Sequence, residues 1–130
     1  MICEMATTKT RPRTRRASGK AWAPEKRIAF LSDILGGHTR VARLLGVSAS
    51  QPTRWEKGEE TPSLAVAERI IGLDAVVAQL LLVWDRSLVT DWLTTGNAHL
   101  AGARPIDVLK HRGSGEVLEA IRSEAAGAFA

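Results

Sequence analysis

The sequence predicts an all-α fold, and three observations carry that expectation. Apolar residues recur every three or four positions through several stretches. Glycines, and prolines at first helical positions, punctuate those stretches at helix-like intervals. No alternating Val/Ile/Thr run bounded by turn residues asks for a strand, and no internal repeat is visible. At 130 residues, 45% hydrophobic and 25% charged, the chain has room for one compact domain or two small ones that share a core.

Residues 1–20 stand apart. They hold Lys9, Arg11, Arg13, Arg15, Arg16 and Lys20 against Glu4, a local +5 that leaves −1 for the rest of a chain whose formal charge is +4. Without an apolar run the segment cannot offset its ordering entropy, so it is expected to be a disordered basic arm. Three readings stay open for it: a solubilising leader, an arm along nucleic-acid phosphates, and a targeting segment. Cys3, the single cysteine, has no disulfide partner, and no Cys/His group has zinc-ligand spacing. A reducing, cytoplasmic setting is expected.

The first helix is announced by Pro24 and by Glu25 at the positive end of the helix dipole, with Ile28, Phe30, Leu31, Ile34 and Leu35 as its apolar positions and Gly36 and Gly37 as its stop. A short helix over about residues 39–45 ends at Gly46. Another is expected from Ser48 to Lys57, ending at Gly58. Thr61 then caps a further helix with Pro62 at its first position, and Gly72 is a possible break within it. Leu73, Val77, Leu80, Trp84, Leu88 and Trp92 step by three or four, which predicts a long helix with a Trp84/Leu88/Trp92 stripe. Val76, Leu81, Leu82 and Val83 make that helix apolar around much of its circumference, to be covered by a second copy or by the other helices. The stretch over residues 70–84 carries Asp74 and Gln79 and falls short of the roughly 20 apolar residues a membrane span needs. Pro105 opens a later helix, Gly113 ends it, and Ser114 caps the last. Ile106, Val108, Leu109, Val117, Leu118 and Ile121 are then the core of a small C-terminal lobe packed on Trp84 and Trp92. The expected division is residues 1–20 for the arm, 21–62 for a helix-turn-helix unit and 63–130 for a dimerisation and partner-binding unit.

Residues 38–55 meet the spacing of a helix-turn-helix. Val41, Leu45, Val47 and Trp55 supply apolar contacts, Ala42 lets two helices approach, and Gly46 can take the positive φ of the turn. Ser48 and Gln51 form a capping-box pattern. Pro52 departs from it, because a proline at the fourth helical position loses a backbone bond; initiation at Ser50 would put it at a tolerated position. The helix face opposite Trp55 offers Ala49, Ser50, Thr53 and Arg54, with Gln51 beside them. Arg can read guanine and Gln adenine, so Arg54 and Ser50 are the leading base-reading candidates. Arg40, Arg43, Lys57 and the peptide N–H groups at the starts of the short helices, Ser48 included, are phosphate-contact candidates. Each arginine taken alone reads first as an ordinary solvated charge, and Glu56, Glu59 and Glu60 dilute the positive field. The segment RVARLLGVSASQPTRWEKG, residues 40–58, resembles the lambda-repressor-like or Xre helix-turn-helix group, which implies DNA as a partner.

Residues 91–129 read DWLTTGNAHLAGARPIDVLKHRGSGEVLEAIRSEAAGAF. The order Trp92, Asn97, Leu100, Gly102, Pro105, Leu109 resembles the Xre/MbcA/ParS toxin-binding domain. Behind an Xre-like unit, that is the arrangement of antitoxins paired with RES-domain toxins. The resemblance spans residues 21–130. It implies a homodimeric antitoxin of a type II toxin-antitoxin system that covers the active site of an NAD-degrading RES toxin, autoregulates transcription through operator DNA, and has no catalytic residues, metal or cofactor of its own. The motif residues are expected mainly to build the fold. The toxin contact is expected on the last helix and tail, where Ala126, Gly127 and Ala128 can enter a narrow cleft and Glu116, Glu119, Arg122 and Glu124 fix the register by charge.

Enzyme function is not expected: there is no nucleophile elbow, no P-loop and no metal-ligand pair, and His38, His99 and His111 are isolated in sequence. The rival to the antitoxin reading is a stand-alone transcriptional regulator whose C-terminal half only dimerises.

Overall fold

The computed structural model describes residues 22–128. The basic arm and Cys3 lie outside the described residues. Within them the fold is all helical. Seven α-helices follow in order: α1 (Pro24–Leu35), α2 (His38–Leu45), α3 (Gln51–Glu56), α4 (Leu64–Val83), α5 (Val89–Thr94), α6 (Pro105–Arg112) and α7 (Gly115–Ala128). Short 3-10 turns at Arg86–Leu88 and Ala98–Leu100 flank α5.

The punctuation explains most of these boundaries. Pro24 and Pro105 stand in the first turns of α1 and α6, where a missing N–H costs nothing. Gly36 (φ 94°) closes α1, Gly46 (φ 74°) closes α2, and each donates its N–H back into the preceding helix. Gly113 ends α6, and the Ser114 carbonyl accepts from Leu118 N–H as α7 begins.

Three expectations are corrected. The reading-helix segment starts at Gln51 with Ser50 in the cap position, so Pro52 falls in the first turn; the chemistry of proline overrode the Ser48 start. The long helix begins at Leu64 and not at Thr61–Pro62: the Ser63 hydroxyl accepts Val66 N–H at 3.3 Å, while Pro62 is buried ahead of the helix. Finally, the long helix stops at Val83. Trp84 is extended (φ −127°, ψ 162°), so Trp84, Leu88 and Trp92 form no stripe on one helix. Trp84 and Trp92 meet across the bend instead, their rings stacked with centroids 6.5 Å apart.

One continuous core joins all seven helices, from Ile28 and Leu31 in α1 to Val117 and Ile121 in α7. α4 runs through it. Ile70, Leu73, Val76, Val77 and Leu80 are buried, with α1, α2, α5, α6 and α7 packed around them. Asp74, the charge within this apolar stretch, is bonded to Arg27 of α1. Arg27 also donates from Nε to the Trp22 carbonyl at 2.8 Å and lies over the Trp22 ring. Gly72 does not break α4. It is buried, and a Cβ there would stand 3.0 Å from Leu109 Cδ1 and 3.5 Å from Ser114 Cβ, so the glycine marks where α6 closes on α4.

Replacing Gly72 with valine places two methyl groups in that contact and is expected to lower stability by about 1–3 kcal/mol. A denaturant midpoint unchanged from the parent chain would show that Leu109 yields freely and that the close approach is not a constraint.

Candidate functional site

Two surfaces collect the residues singled out from the sequence. The first is the α2–α3 face. Val41, Ala42, Leu45 and Trp55 are buried and Val47 is half-buried, which braces α2 against α3 as the spacing required. On the outside, Ser50 and Arg54 are exposed, one helical turn apart. Arg54 Nη2 donates to Ser50 Oγ at 2.6 Å and Nη1 donates to Glu60 Oε2 at 3.2 Å. Gln51 is also engaged: its Oε1 accepts Ser48 N–H at 3.1 Å, which is the reciprocal half of a capping box. Thr53 is half-buried, and Arg43 and Lys57 are exposed. Arg40 serves the fold, since its Nη1 donates to the Leu35 carbonyl at 3.3 Å and sits beside Gly36 at the end of α1. Glu56 is bonded to His38 at 2.8 Å and Glu60 to Arg54, so two of the three nearby acids have partners, and His38 is not the isolated histidine the sequence suggested.

The second surface is built by the α5–α6 loop and α7. Asn97, 7% exposed, organises the loop. Its Oδ1 accepts His99 N–H at 2.8 Å, its carbonyl accepts from Leu100 and Gly102, and its own N–H donates to the Ala103 carbonyl. Ala101 (φ 57°) and Gly102 (φ 87°) take the left-handed conformations that this tight reversal needs. Gly96 lies so close to the loop that a Cβ on it would be 2.7 Å from the Gly102 carbonyl oxygen. Asn97 Nδ2 donates to Glu124 Oε1, and Trp92 Nε1 donates to Glu124 Oε2 at 2.7 Å. The two carboxylate oxygens of Glu124 therefore tie α7 to α5 and to the loop. Beside this cluster opens a groove of about 400 Å³, with Leu80, Leu88 and the two stacked tryptophans supplying its apolar part.

The motif residues thus come together, and they are structural in their contacts: Pro105 and Leu109 are buried in α6, Leu100 is buried under the loop, and Trp92 and Asn97 hold Glu124. Of the residues expected to meet a partner, Glu124 is already occupied and half-buried. Glu116 pairs with Arg112 at 3.4 Å, and Glu119 with Arg122 at 2.8 Å, all four exposed. Ala126 and Gly127 are exposed near the end of α7; Ala128 ends the helix. The Trp92–Asn97–Glu124 cluster was not anticipated as a unit, because it joins residues 27 and 32 positions apart. At the entry to α6, Arg104 grips Asp107 with Nε and Nη2 at 2.8 and 3.0 Å, and that hydrogen bonding holds the Asp107 carboxyl below its ordinary range.

Among the described residues no group of three or more His, Cys, Asp or Glu could hold a metal ion, and no helix is long and apolar enough to cross a membrane. No protein-family model matches the chain, and no curated protein matches it. Among solved structures, a chain of the crystal structure of the M. tuberculosis MbcT-MbcA toxin-antitoxin complex is similar. It is 24% identical, with 82% of this chain and 96% of that chain covered and a TM-score of 0.69. The likeness shows that the two chains share a fold.

Replacing Asn97 with alanine leaves Glu124 half-satisfied and the His99 N–H without its acceptor, an expected loss of about 2 kcal/mol. Asn97→Asp is expected to cost more at neutral pH, because it sets a second carboxylate against Glu124. Thermal or denaturant unfolding of both variants checks the order; an aspartate variant as stable as the parent would show that the cluster does not hold α7.

Proposed function

We propose that the chain is the antitoxin of a type II toxin-antitoxin pair, a homodimer that neutralises a RES-domain, NAD-degrading toxin by covering its active site with the C-terminal end of α7. The observation that carries this reading is the likeness to a chain of a toxin-antitoxin complex over 96% of that chain. The order of Trp92, Asn97, Gly102, Pro105 and Leu109, which resembles a toxin-binding domain, supports it independently.

Inhibition of this kind is steric. Glu124, anchored by Trp92 and Asn97, fixes the last turns of α7, so that the small side chains beyond it are presented on a rigid stem. Ala126 and Gly127 project no bulk that would keep the helix end from a narrow cleft. The exposed Arg122 and Glu119 flank that end and can meet charges on the toxin, at the cost of their mutual pairing. Residues 1–20 and the α2–α3 face are assigned to operator DNA, with Ser50, Gln51, Thr53 and Arg54 toward base edges and Arg43, Ser48 and Lys57 toward phosphates. Arg40 would contribute to the field from its place at the end of α1. Arg54 must exchange Glu60 for a base to do this, which makes binding weaker than the guanidinium alone would give. Antitoxin work requires no catalytic group, cofactor or metal from this chain, and the cytoplasm is where its toxin and operator would be met.

Two measurements test the reading. Co-expression with the product of the adjacent gene is expected to yield a stable complex in which NAD is protected. A chain ended after Glu124 keeps Val117, Ala120, Ile121 and the Trp92–Asn97–Glu124 cluster, yet is expected to lose most of its neutralisation. Full neutralisation by that shortened chain would move the contact elsewhere; the absence of any toxin partner, with operator binding retained, would make the chain a stand-alone regulator. For the DNA face, Arg54→Ala is expected to weaken operator binding by about 1–3 kcal/mol and to relax selectivity at one base position. An unchanged isotherm over a range of salt concentrations would remove Arg54 from the reading face.

A further inference from the structure

α4 carries an apolar stripe on the side turned away from the core. At 100° per residue, Leu64, Ile71, Ala75 and Leu82 lie within about 20° of the direction opposite Leu73, which is fully buried. Leu64 is 78% exposed, Ile71 44% and Leu82 79%, so this is solvent-facing surface where a single-copy helix would carry charge. Ala67 and Ala78 border the stripe on one edge, Glu68 and Gln79 on the other, and Glu68 is the one charge among these eight positions.

The stripe has the same pattern read from either end. Leu64 and Leu82 stand nine residues on each side of Leu73, and Ile71 and Ala75 stand two. We propose that this face is the dimer interface, and that it pairs with α4 of a second copy in antiparallel register about Leu73. In that register Leu64 meets the second copy's Leu82 at both ends, and Ile71 meets the second copy's Ala75 at the centre, where the small side chain lets the helices approach. The two-fold axis lies in the contact plane and preserves each edge. Ala67 therefore faces Ala78 of the second copy, and Glu68 faces Gln79, whose amide can donate to the carboxylate. The parallel register would instead set Glu68 beside Ala67 of the second copy, leaving its carboxylate with no donor in a closing apolar contact, which is unfavourable. Every contact occurs twice, as an isologous interface requires.

The same axis keeps the flanks of α4 apart. The Asp74 flank holds α1 and the Gly72 flank holds α6, so both helix-turn-helix units fall on one side of the dimer and both C-terminal lobes on the other. One helix pair about 30 Å long buries on the order of 1,000 Å² in total, the lower edge of specific interfaces, so a micromolar dissociation constant of about 1–100 μM is expected. This deepens the homodimer part of the proposed function and is independent of the toxin.

Sedimentation of the full chain from about 1 to 300 μM, spanning that expected range, tests it, with Leu64→Lys plus Leu82→Lys as the paired variant. The substituted side chains are mostly in water, so helicity and unfolding midpoint should persist while the dissociation constant rises at least tenfold. Register is read in a Cys3→Ser background with a short bis-maleimide. The variant carrying both Leu64→Cys and Leu82→Cys is expected to cross-link into covalent dimers, and each single variant alone is not. A parent chain that stays monomeric throughout would overturn the dimer altogether. A dimer that survives the two lysines, or single variants that cross-link as well as the double one, would overturn this interface alone and leave the antitoxin reading to its NAD assay.

Discussion

Burial of one face of α4 is the constraint on which the other elements depend. Ile70, Leu73, Val76, Val77 and Leu80 are each 1% exposed or less, and α1, α2, α5, α6 and α7 all pack on this helix. Full burial of an aliphatic side chain contributes about 1.5–3 kcal/mol, so these five outweigh any ion pair on the surface. The polar residues of the helix serve its placement. Ser63 fixes where it starts, Arg69 Nη1 donates to the Leu45 carbonyl at 3.2 Å to hold the end of α2, and Asp74 accepts from Arg27 to hold the start of α1. Gly72 provides the space for α6. Three side chains and one glycine thus place the helix and its neighbours, while the aliphatic face supplies the driving force.

Much of this was legible because it is local. Pro24 and Pro105 mark helix starts and Gly36, Gly46 and Gly113 mark ends, since backbone stereochemistry at these residues leaves little choice. The misreadings arise where two local signals compete. Thr61–Pro62 and Ser63 are both credible starts for α4; burial of Pro62 decided for Ser63, and burial is not a local property. Trp84, Leu88 and Trp92 keep helical spacing across a bend because the spacing satisfies a tertiary stack as well as it would a stripe. Gly72 has the same letter as a helix breaker and as a contact residue, and only the position of Leu109 distinguishes them.

The candidate surfaces differ in the same way. Helix-turn-helix spacing spans fewer than twenty residues, so its apolar brace could be read directly. What could not be read is that Arg54, Ser50 and Glu60 satisfy one another; Gln51 is turned onto Ser48, as the capping-box pattern implied. The C-terminal motif was visible as an order of residues, but its physical reason is Glu124, which lies outside the motif and receives both Trp92 and Asn97. A carboxylate accepting two N–H donors is held far more tightly than the exposed Glu116 or Glu119, whose pairs with arginine contribute little in water. The four charges of α7 therefore differ in burial: Glu124 is half-buried and positions the helix, and Glu116, Glu119 and Arg122 are exposed.

α4 also explains why its composition looks excessive for a protein of this size. Val76 is consumed by the core, and Leu81 and Val83 are half-buried, but Leu82 and Leu64 are mostly exposed. The two open explanations for an all-round apolar helix, other helices and a second copy, therefore divide the helix between them by face. Its inward face gathers α1, α2, α5, α6 and α7 into one body. Its outward face, regular about Leu73 and nearly free of charge, has no partner among the described residues, and the cheapest way to remove it from water is to place it against the same face of another molecule.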